Sequence, residues 1–251
     1  MNESQRRAYL ALGIGPAWQR RAPQAGNGAP QDTATAVATA PAPATATAPA
    51  LGAPDAGDVS TMDWPALRAA VEQCRACALC ESRTRTVFGV GDEQASWMVI
   101  GEAPGAEEDR RGEPFVGNAG KLLDQMLAAL GLDRERAVFI ANVLKCRPPH
   151  NRDPSPAEMQ HCEPYLRRQI ELVAPRVIVV AGRIAAQALL RTDASIANLR
   201  GRLHGYRIAE RTIPVVVTYH PAYLLRSLPD KARAWEDLCL ARRAHAGSIA
   251  A

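Results

Sequence analysis

Residues 96–105 read SWMVIGEAPG, a short aliphatic run that ends in a turn rich in glycine and proline. Runs of this length, bounded by turn residues, are typical of buried strands, so we predict a strand over 96–100. The loop that follows, 101–105, contains the carboxylate Glu102. A strand that ends in such a loop is a common location for a functional site.

Three further aliphatic runs predict strands at 137–141, 176–181 and 213–218. Helical patterns separate them at 64–73, 119–130, 156–173, 184–190 and 230–244, and Ser155 with Glu158 forms a capping box before the third helix. Strands that alternate with helices indicate a parallel sheet covered on both faces. We therefore predict an α/β fold: a three-layer αβα structure around a central, mostly parallel four-stranded sheet.

The first sixty residues differ in composition from the rest of the chain. Residues 1–21 are basic and predict a short N-terminal helix, whereas residues 22–60 are largely Ala, Pro, Thr and Gly. The second segment carries too few large apolar side chains to form a core, so we expect a disordered tether. The folded domain is expected over 61–246.

Composition limits the class of protein. A hydrophobic content of 47% is sufficient for one buried core, and a net charge of +4 permits a polyanionic partner without requiring one. Six cysteines without a convincing secretory leader predict a reducing compartment, here the cytoplasm, where thiols are more often metal ligands than disulfides. No segment approaches the apolar length of a membrane span.

Four cysteines predict a metal centre: the pair Cys74 and Cys77, and the distant pair Cys146 and Cys162. Zinc and an iron-sulfur cluster are both compatible with thiol ligands, but the wide second spacing favours a [4Fe-4S] cluster nested in a fold. Cys80 competes as a ligand in the first group. The sixth cysteine, in the last predicted helix, is expected to be a small buried hydrophobe.

Three side chains near the predicted sheet edge are candidates for ligand recognition. Phe115 lies in a loop before a helix, where it is either a core residue or a stacking surface for a planar ligand. Asn142 follows a strand, and its carboxamide can read a nucleobase edge by donating one hydrogen bond and accepting another. His220 follows the last strand, where it either caps that strand or stabilises negative charge on a leaving group.

Taken together, these segments resemble the iron-sulfur uracil-DNA glycosylases, family 4 of that superfamily. The resemblance extends from about Cys74 to Arg226 and rests on the conjunction of the four cysteines with four motifs: GEAPG at 101–105, PFVG at 114–117, Asn142 with KCRPP at 145–149, and HPAYLLR at 220–226.

The resemblance implies roles for individual residues. Cys74, Cys77, Cys146 and Cys162 would hold the [4Fe-4S] cluster. Phe115 would stack on a uracil flipped out of DNA, Asn142 would pair with its edge, and His220 would stabilise charge on the departing base. Leu224 and Leu225 would fill the vacated stack, and Arg226 would contact a phosphate.

The first motif departs from the family 1 enzymes at two positions. Ala103 stands where those enzymes carry the aspartate that orients the attacking water, so Glu102 is the first candidate for that role and Asp109 the second. Gly105 replaces the family 1 tyrosine that excludes the methyl group of thymine, and we expect Glu108 to block that space.

The resulting expectation is a base excision repair hydrolase that acts on uracil in single- or double-stranded DNA. We expect a monomer with no membrane association, whose N-terminal arm is a candidate docking segment for a repair or replication partner. The alternative is an iron-sulfur module that binds nucleic acid without glycosylase activity.

Overall fold

The computed structural model describes residues 58–247. The predicted helix at 1–21 lies outside these residues, as does the tether up to residue 57. The first described element, the short 3-10 turn Val59–Thr61, begins before the predicted start of the domain at residue 61, and the Asp58 side chain accepts from the backbone N–H of Ser60.

In the described part of the chain, six strands form one sheet in the order β1-β3-β2-β4-β6-β5. The strands are β1 Val90–Gly91, β2 Trp97–Gly101, β3 Val138–Asn142, β4 Val177–Ala181, β5 Leu203–Ile208 and β6 Arg211–Thr218. The four central strands are the predicted ones, and they pair in parallel.

The predicted number of four strands is two too few, because an antiparallel strand is added at each edge. Strand β1 is only two residues long, and most of β5 is exposed or half-buried. Neither therefore produces an aliphatic run in the sequence.

Within residues 58–247, the five helices predicted there are present, together with four short ones. In chain order they are α1 Trp64–Gln73, α2 Leu79–Ser82, α3 Ala106–Arg111, α4 Asn118–Ala129, α5 Pro156–Val173, α6 Arg183–Leu190, α7 Ile196–Leu199, α8 Pro221–Leu224 and α9 Asp230–Gly247. A second 3-10 turn covers Pro149–Asn151. The capping box at the start of α5 is confirmed, since Ser155 and Glu158 bond each other's backbone N–H groups.

Two hydrophobic clusters lie on opposite faces of the sheet, which confirms the three-layer architecture. Along β2, Met98 and Ile100 belong to one cluster, whereas Trp97 and Val99 belong to the other. Helices α1, α5 and α6 cover the first face, and α4 and α9 cover the second. No helix among residues 58–247 has the length and apolar character to cross a membrane.

Candidate active site and cysteine cluster

A cavity of about 560 Å³ opens where the central strands end. Its walls include eight of the side chains or loop residues predicted for the site: Glu102, Ala103, Gly105, Glu108, Phe115, Asn142, His220 and Arg226. They come from four separate segments of the chain. Parallel strands bring these segments together because their carboxyl ends share one edge of the sheet.

Asn142 ends β3 beside Gly101, its register partner at the end of β2. The Asn142 side chain is 2% exposed, and its Oδ1 atom has no hydrogen-bond partner among the described residues. A Cβ on Gly101 would overlap this oxygen and would lie 2.6 Å from the Phe115 ring. A buried acceptor without a donor costs about 1–3 kcal/mol, so a ligand donor at this point would be favoured.

Phe115 has a left-handed backbone conformation, with φ of 54°. Such a conformation costs about 1–3 kcal/mol for a bulky residue and persists only where the surroundings enforce it. Its ring stacks on the His220 ring with centroids 5.5 Å apart and an interplanar angle of 27°. Phe115, Asn142 and His220 therefore converge on one part of the cavity.

The environment of His220 determines its protonation state and its tautomer. Burial lowers the pKa of His220 to about 4, while Glu108 raises it and Arg226 lowers it to smaller extents. The Nδ1 atom accepts a hydrogen bond from the backbone N–H of Ala222 at 3.1 Å. The neutral ring therefore carries its proton on Nε2 and is a hydrogen-bond donor at that atom.

The Glu108 carboxylate lies next to Gly105. Its Oε1 atom accepts from the backbone N–H groups of Val116 at 3.0 Å and Gly117 at 3.2 Å. A Cβ on Gly105 would lie 2.7 Å from the other carboxylate oxygen. The Glu108 carboxylate therefore occupies space that a side chain at position 105 would otherwise fill.

The two candidates for water positioning have different environments. Glu102 lines the cavity, and its pKa is raised by burial and by Asp153, while Arg183 opposes the shift. Asp109 is 4% exposed and accepts from the backbone N–H of Thr84 at 2.9 Å. Asp109 does not line the cavity, and its carboxylate holds the 84–85 backbone, which favours Glu102 as the candidate for positioning water.

The predicted DNA-contacting leucines separate into a buried and an exposed residue. Leu224 is 1% exposed and belongs to the core cluster under α4 and α9, so it is unavailable to DNA in this structure. Leu225 is 43% exposed, and Arg226 is exposed at the cavity edge. The prediction for Leu224 is corrected accordingly, since two adjacent leucines on a helical turn face different ways.

Several cavity residues were missed from the sequence. Asn151 and Tyr223 line the cavity. Asn151 has φ of 53°, and its Oδ1 atom accepts from Arg147 Nε at 2.7 Å. Asparagine tolerates left-handed backbone better than most residues, which was the available signal in this proline-flanked turn.

The predicted metal ligands Cys74, Cys77, Cys146 and Cys162 line a second, smaller cavity together with Cys80. None of the six cysteines forms a disulfide. The Arg83 guanidinium donates to Cys146 Sγ at 3.0 Å and to the Cys74 carbonyl at 2.8 Å, so it joins the two ligand pairs. Cys239 is a buried hydrophobe on α9, as expected.

Thiols that line one cavity are a donor set that could hold a metal centre. Burial raises the pKa of Cys162 to about 12 and also raises the pKa values of Cys77 and Cys146, so these three thiols are protonated at neutral pH unless a metal binds them. Binding to metal is what ionises such thiols. Within residues 58–247, no three His, Cys, Asp or Glu side chains are grouped as for a single metal ion.

Two residues connect the cysteine cavity with the larger cavity. Ala103 lines the larger cavity and packs against the cluster that contains Cys146 and Cys162. Lys145 is 2% exposed, and its Nζ group donates to the Asn142 carbonyl at 2.8 Å and to Gln169 Oε1 at 2.7 Å. Packing and hydrogen bonds thus connect the cysteine region with the end of β3.

Comparison with known families gives the relationship of this chain. Residues 88–239 match the family model described as the uracil DNA glycosylase superfamily. The chain belongs to the uracil DNA glycosylase superfamily. This assignment confirms the resemblance drawn from the motifs.

Among superfamily members, the chain is similar to several Type-4 uracil-DNA glycosylases. It is 47% identical over 159 residues to the protein of Archaeoglobus fulgidus, covering 62% of this chain and 79% of the relative. It is 40% identical over 183 residues to that of Pyrobaculum aerophilum, covering 71% and 93%. A Type-5 uracil-DNA glycosylase of Pyrobaculum aerophilum is 34% identical over 149 residues, covering 53% and 64%.

Proposed function

We propose that this protein is a DNA repair glycosylase that flips uracil out of DNA and hydrolyses its N-glycosidic bond, leaving an abasic site. The observation that carries this proposal is the buried, unpaired Oδ1 atom of Asn142 in a cavity shared with Phe115 and His220. The similarity to Type-4 uracil-DNA glycosylases supports it independently.

Base recognition follows from the donors and acceptors of the Asn142 carboxamide. Its oxygen accepts from uracil N3–H, and its amide group donates to uracil O4. Cytosine presents the opposite pattern, with an acceptor at N3 and a donor at C4. Binding cytosine would leave buried polar groups unpaired, which disfavours it strongly.

Cleavage breaks the bond between the sugar C1′ atom and uracil N1, and the bonding electrons leave with the base. Charge then develops on uracil O2, where the Nε2–H group of neutral His220 donates a hydrogen bond. A neutral donor suits this task because it stabilises the anion, and burying a neutral ring avoids the cost of desolvating a charged imidazolium. Phe115 orients the base by stacking.

Water completes the reaction by adding its oxygen to C1′, and the proton that it releases neutralises the uracil anion. Glu102 is the residue proposed to orient this water, since it lines the cavity and Asp109 is engaged elsewhere. Glu108 is proposed to exclude the methyl group of thymine, because two backbone N–H groups hold its carboxylate over Gly105. Leu225 and Arg226 are proposed to contact DNA around the vacated position.

A [4Fe-4S] cluster is proposed to be held by Cys74, Cys77, Cys146 and Cys162. Such a cluster supplies a cross-link between chain segments through four thiolate bonds. Ala103 and Lys145 would transmit this rigidity to the active cavity. Zinc is the competing cofactor, and visible absorption from thiolate-to-iron charge transfer distinguishes the two, because a zinc site is colourless.

We propose that the protein is monomeric and lies in the cytoplasm. The six unpaired cysteines are in keeping with a reducing compartment. The segments 1–21 and 22–60 are proposed as a basic helix and a tether, with a repair or replication partner as the candidate ligand of the helix.

Release of the base from defined oligonucleotides tests the proposed function. Matched single-stranded and duplex substrates carrying uracil, cytosine or thymine at one position should give abasic product only with uracil. Absence of product from every uracil substrate, together with tight DNA binding, would instead support an iron-sulfur module that binds nucleic acid.

A further inference from the structure

Arg134 lies in the loop between α4 and β3, and its side chain reaches back to the backbone that carries Phe115. Its Nη2 group donates to the Phe115 carbonyl at 2.9 Å and to the Pro114 carbonyl at 3.4 Å. Its Nε atom lies 3.0 Å from Asp124 Oδ1 on α4, in an ion pair in which the arginine side chain is 23% exposed. One guanidinium thus joins the Phe115 loop to the helix that follows it.

The left-handed backbone of Phe115 makes this contact important. Among residues 58–247, seven non-glycine residues have positive φ, and two of them, Phe115 and His150, have aromatic rings. Such a conformation relaxes unless neighbouring groups enforce it. Arg134 restrains the carbonyl of Phe115, while Glu108 restrains the next two N–H groups.

The packing around Phe115 leaves little tolerance for movement of its ring. The ring touches the backbone of Gly101 so closely that no Cβ would fit there, and it stacks on His220. Gly120 of α4 has no side chain where the Phe115 carbonyl passes, and a Cβ there would overlap it. A change in the Phe115 backbone would therefore displace the ring from the position in which it faces the cavity.

We propose that Arg134 is a positioning residue for uracil stacking: it holds Phe115 in the conformation that presents its ring to the flipped base. This inference rests on the proposed function, because it assigns to Phe115 the role of stacking on uracil. Arg134 itself touches neither the base nor the sugar in this account.

The test compares Arg134→Gln with Arg136→Gln. Arg136 is an exposed arginine of the same loop whose side chain has no hydrogen bond or ion pair among residues 58–247, so the control reproduces the change in charge. Stacking operates in both the bound substrate and the transition state. We therefore expect Arg134→Gln to raise KM for a uracil-containing oligonucleotide about five-fold with kcat within two-fold, and Arg136→Gln to change neither.

A double-mutant cycle with Phe115→Ala separates positioning from general destabilisation. If Arg134 acts through Phe115, Arg134→Gln adds nothing further in the Phe115→Ala background. Arg134→Lys keeps the charge and one donor and should restore part of the loss, and it replaces Arg134→Gln in the cycle if the latter fails to fold.

The outcomes distinguish this inference from the function on which it rests. An unchanged KM in Arg134→Gln, or effects that add to those of Phe115→Ala, would overturn the positioning role while leaving uracil excision intact. A Phe115→Ala variant with the parent's kinetics would instead refute the stacking role of Phe115 in the proposed function.

Discussion

The imidazole of His220 accepts the backbone N–H of Ala222 through Nδ1, at 3.1 Å. Because this bond requires an unprotonated Nδ1, the only proton of the neutral ring lies on Nε2. The same histidine begins α8 and stacks on Phe115. The sequence offered capping of the last strand or stabilisation of a leaving group as alternatives, but the ring caps α8 instead. This cap uses Nδ1 and leaves the Nε2 proton for the proposed catalytic role.

Replacing His220 by alanine removes the donor for the leaving base. We expect kcat to fall by about 100- to 1000-fold, the usual effect of losing one donor to a developing anion. The measurement is single-turnover excision of uracil, with melting temperature and visible absorbance as controls. A variant that loses its cluster absorbance would show a structural role for His220.

The pH dependence of kcat/KM should report Glu102. Its pKa is raised above the ordinary value of 4.5, whereas the pKa of His220 is lowered to about 4. If ionised Glu102 orients water, activity is lost as pH falls through its raised pKa, before His220 protonates. We expect Glu102→Gln to be slower and to lose this acidic limb. An unaltered limb in that variant would assign the titration to another group.

Gly101→Ala should abolish excision while the domain remains folded. The added Cβ would overlap Asn142 Oδ1 and press on the Phe115 ring, so both recognition groups would be displaced. Gly247→Ala is the matched control, because a Cβ there has open space. Comparable activity in both variants, measured by base release, would contradict the described convergence of these side chains.

Arg83→Ala should weaken retention of the cluster. The Arg83 guanidinium joins the Cys146 thiol to the carbonyl of Cys74, so its removal frees the two ligand pairs from each other. Visible absorbance and iron content per chain should fall, and both should remain near the parent values in Arg75→Ala. Arg75 is the suitable control because it is exposed and lies between Cys74 and Cys77.

The adjacent leucines Leu224 and Leu225 should respond differently to alanine. Leu224→Ala creates a cavity in the core and should lower the free energy of unfolding by about 2–5 kcal/mol. Leu225→Ala should leave that free energy within about 0.5 kcal/mol but reduce excision from duplex DNA. Chemical denaturation and duplex cleavage measure the two effects, and the reverse pattern would restore Leu224 as the residue that contacts DNA.

The central sheet and the long helices were predictable because their signals are local. Aliphatic runs marked the four parallel strands, and the bonds of Ser155 and Glu158 fall within one helical turn. The edge strands β1 and β5 were not predictable in this way. Their pairing depends on neighbouring strands and leaves no continuous apolar run.

Within the site, residue types were predictable but their partners were not. The Asp109 carboxylate accepts from the backbone N–H of Thr84, 25 residues earlier. The Arg134 guanidinium donates to the carbonyl of Phe115, 19 residues earlier. Nothing local in either segment indicates these contacts. Likewise, only packing against α4 and α9 decides that Leu224 is buried.

Uracil excision by Asn142→Ala is the decisive measurement, because the unpaired Asn142 oxygen is the feature to which uracil N3–H is matched. With the cluster absorbance retained, we expect kcat/KM for a uracil-containing oligonucleotide to fall by at least about 100-fold. Excision at the parent's rate by a folded, cluster-loaded Asn142→Ala variant would contradict it.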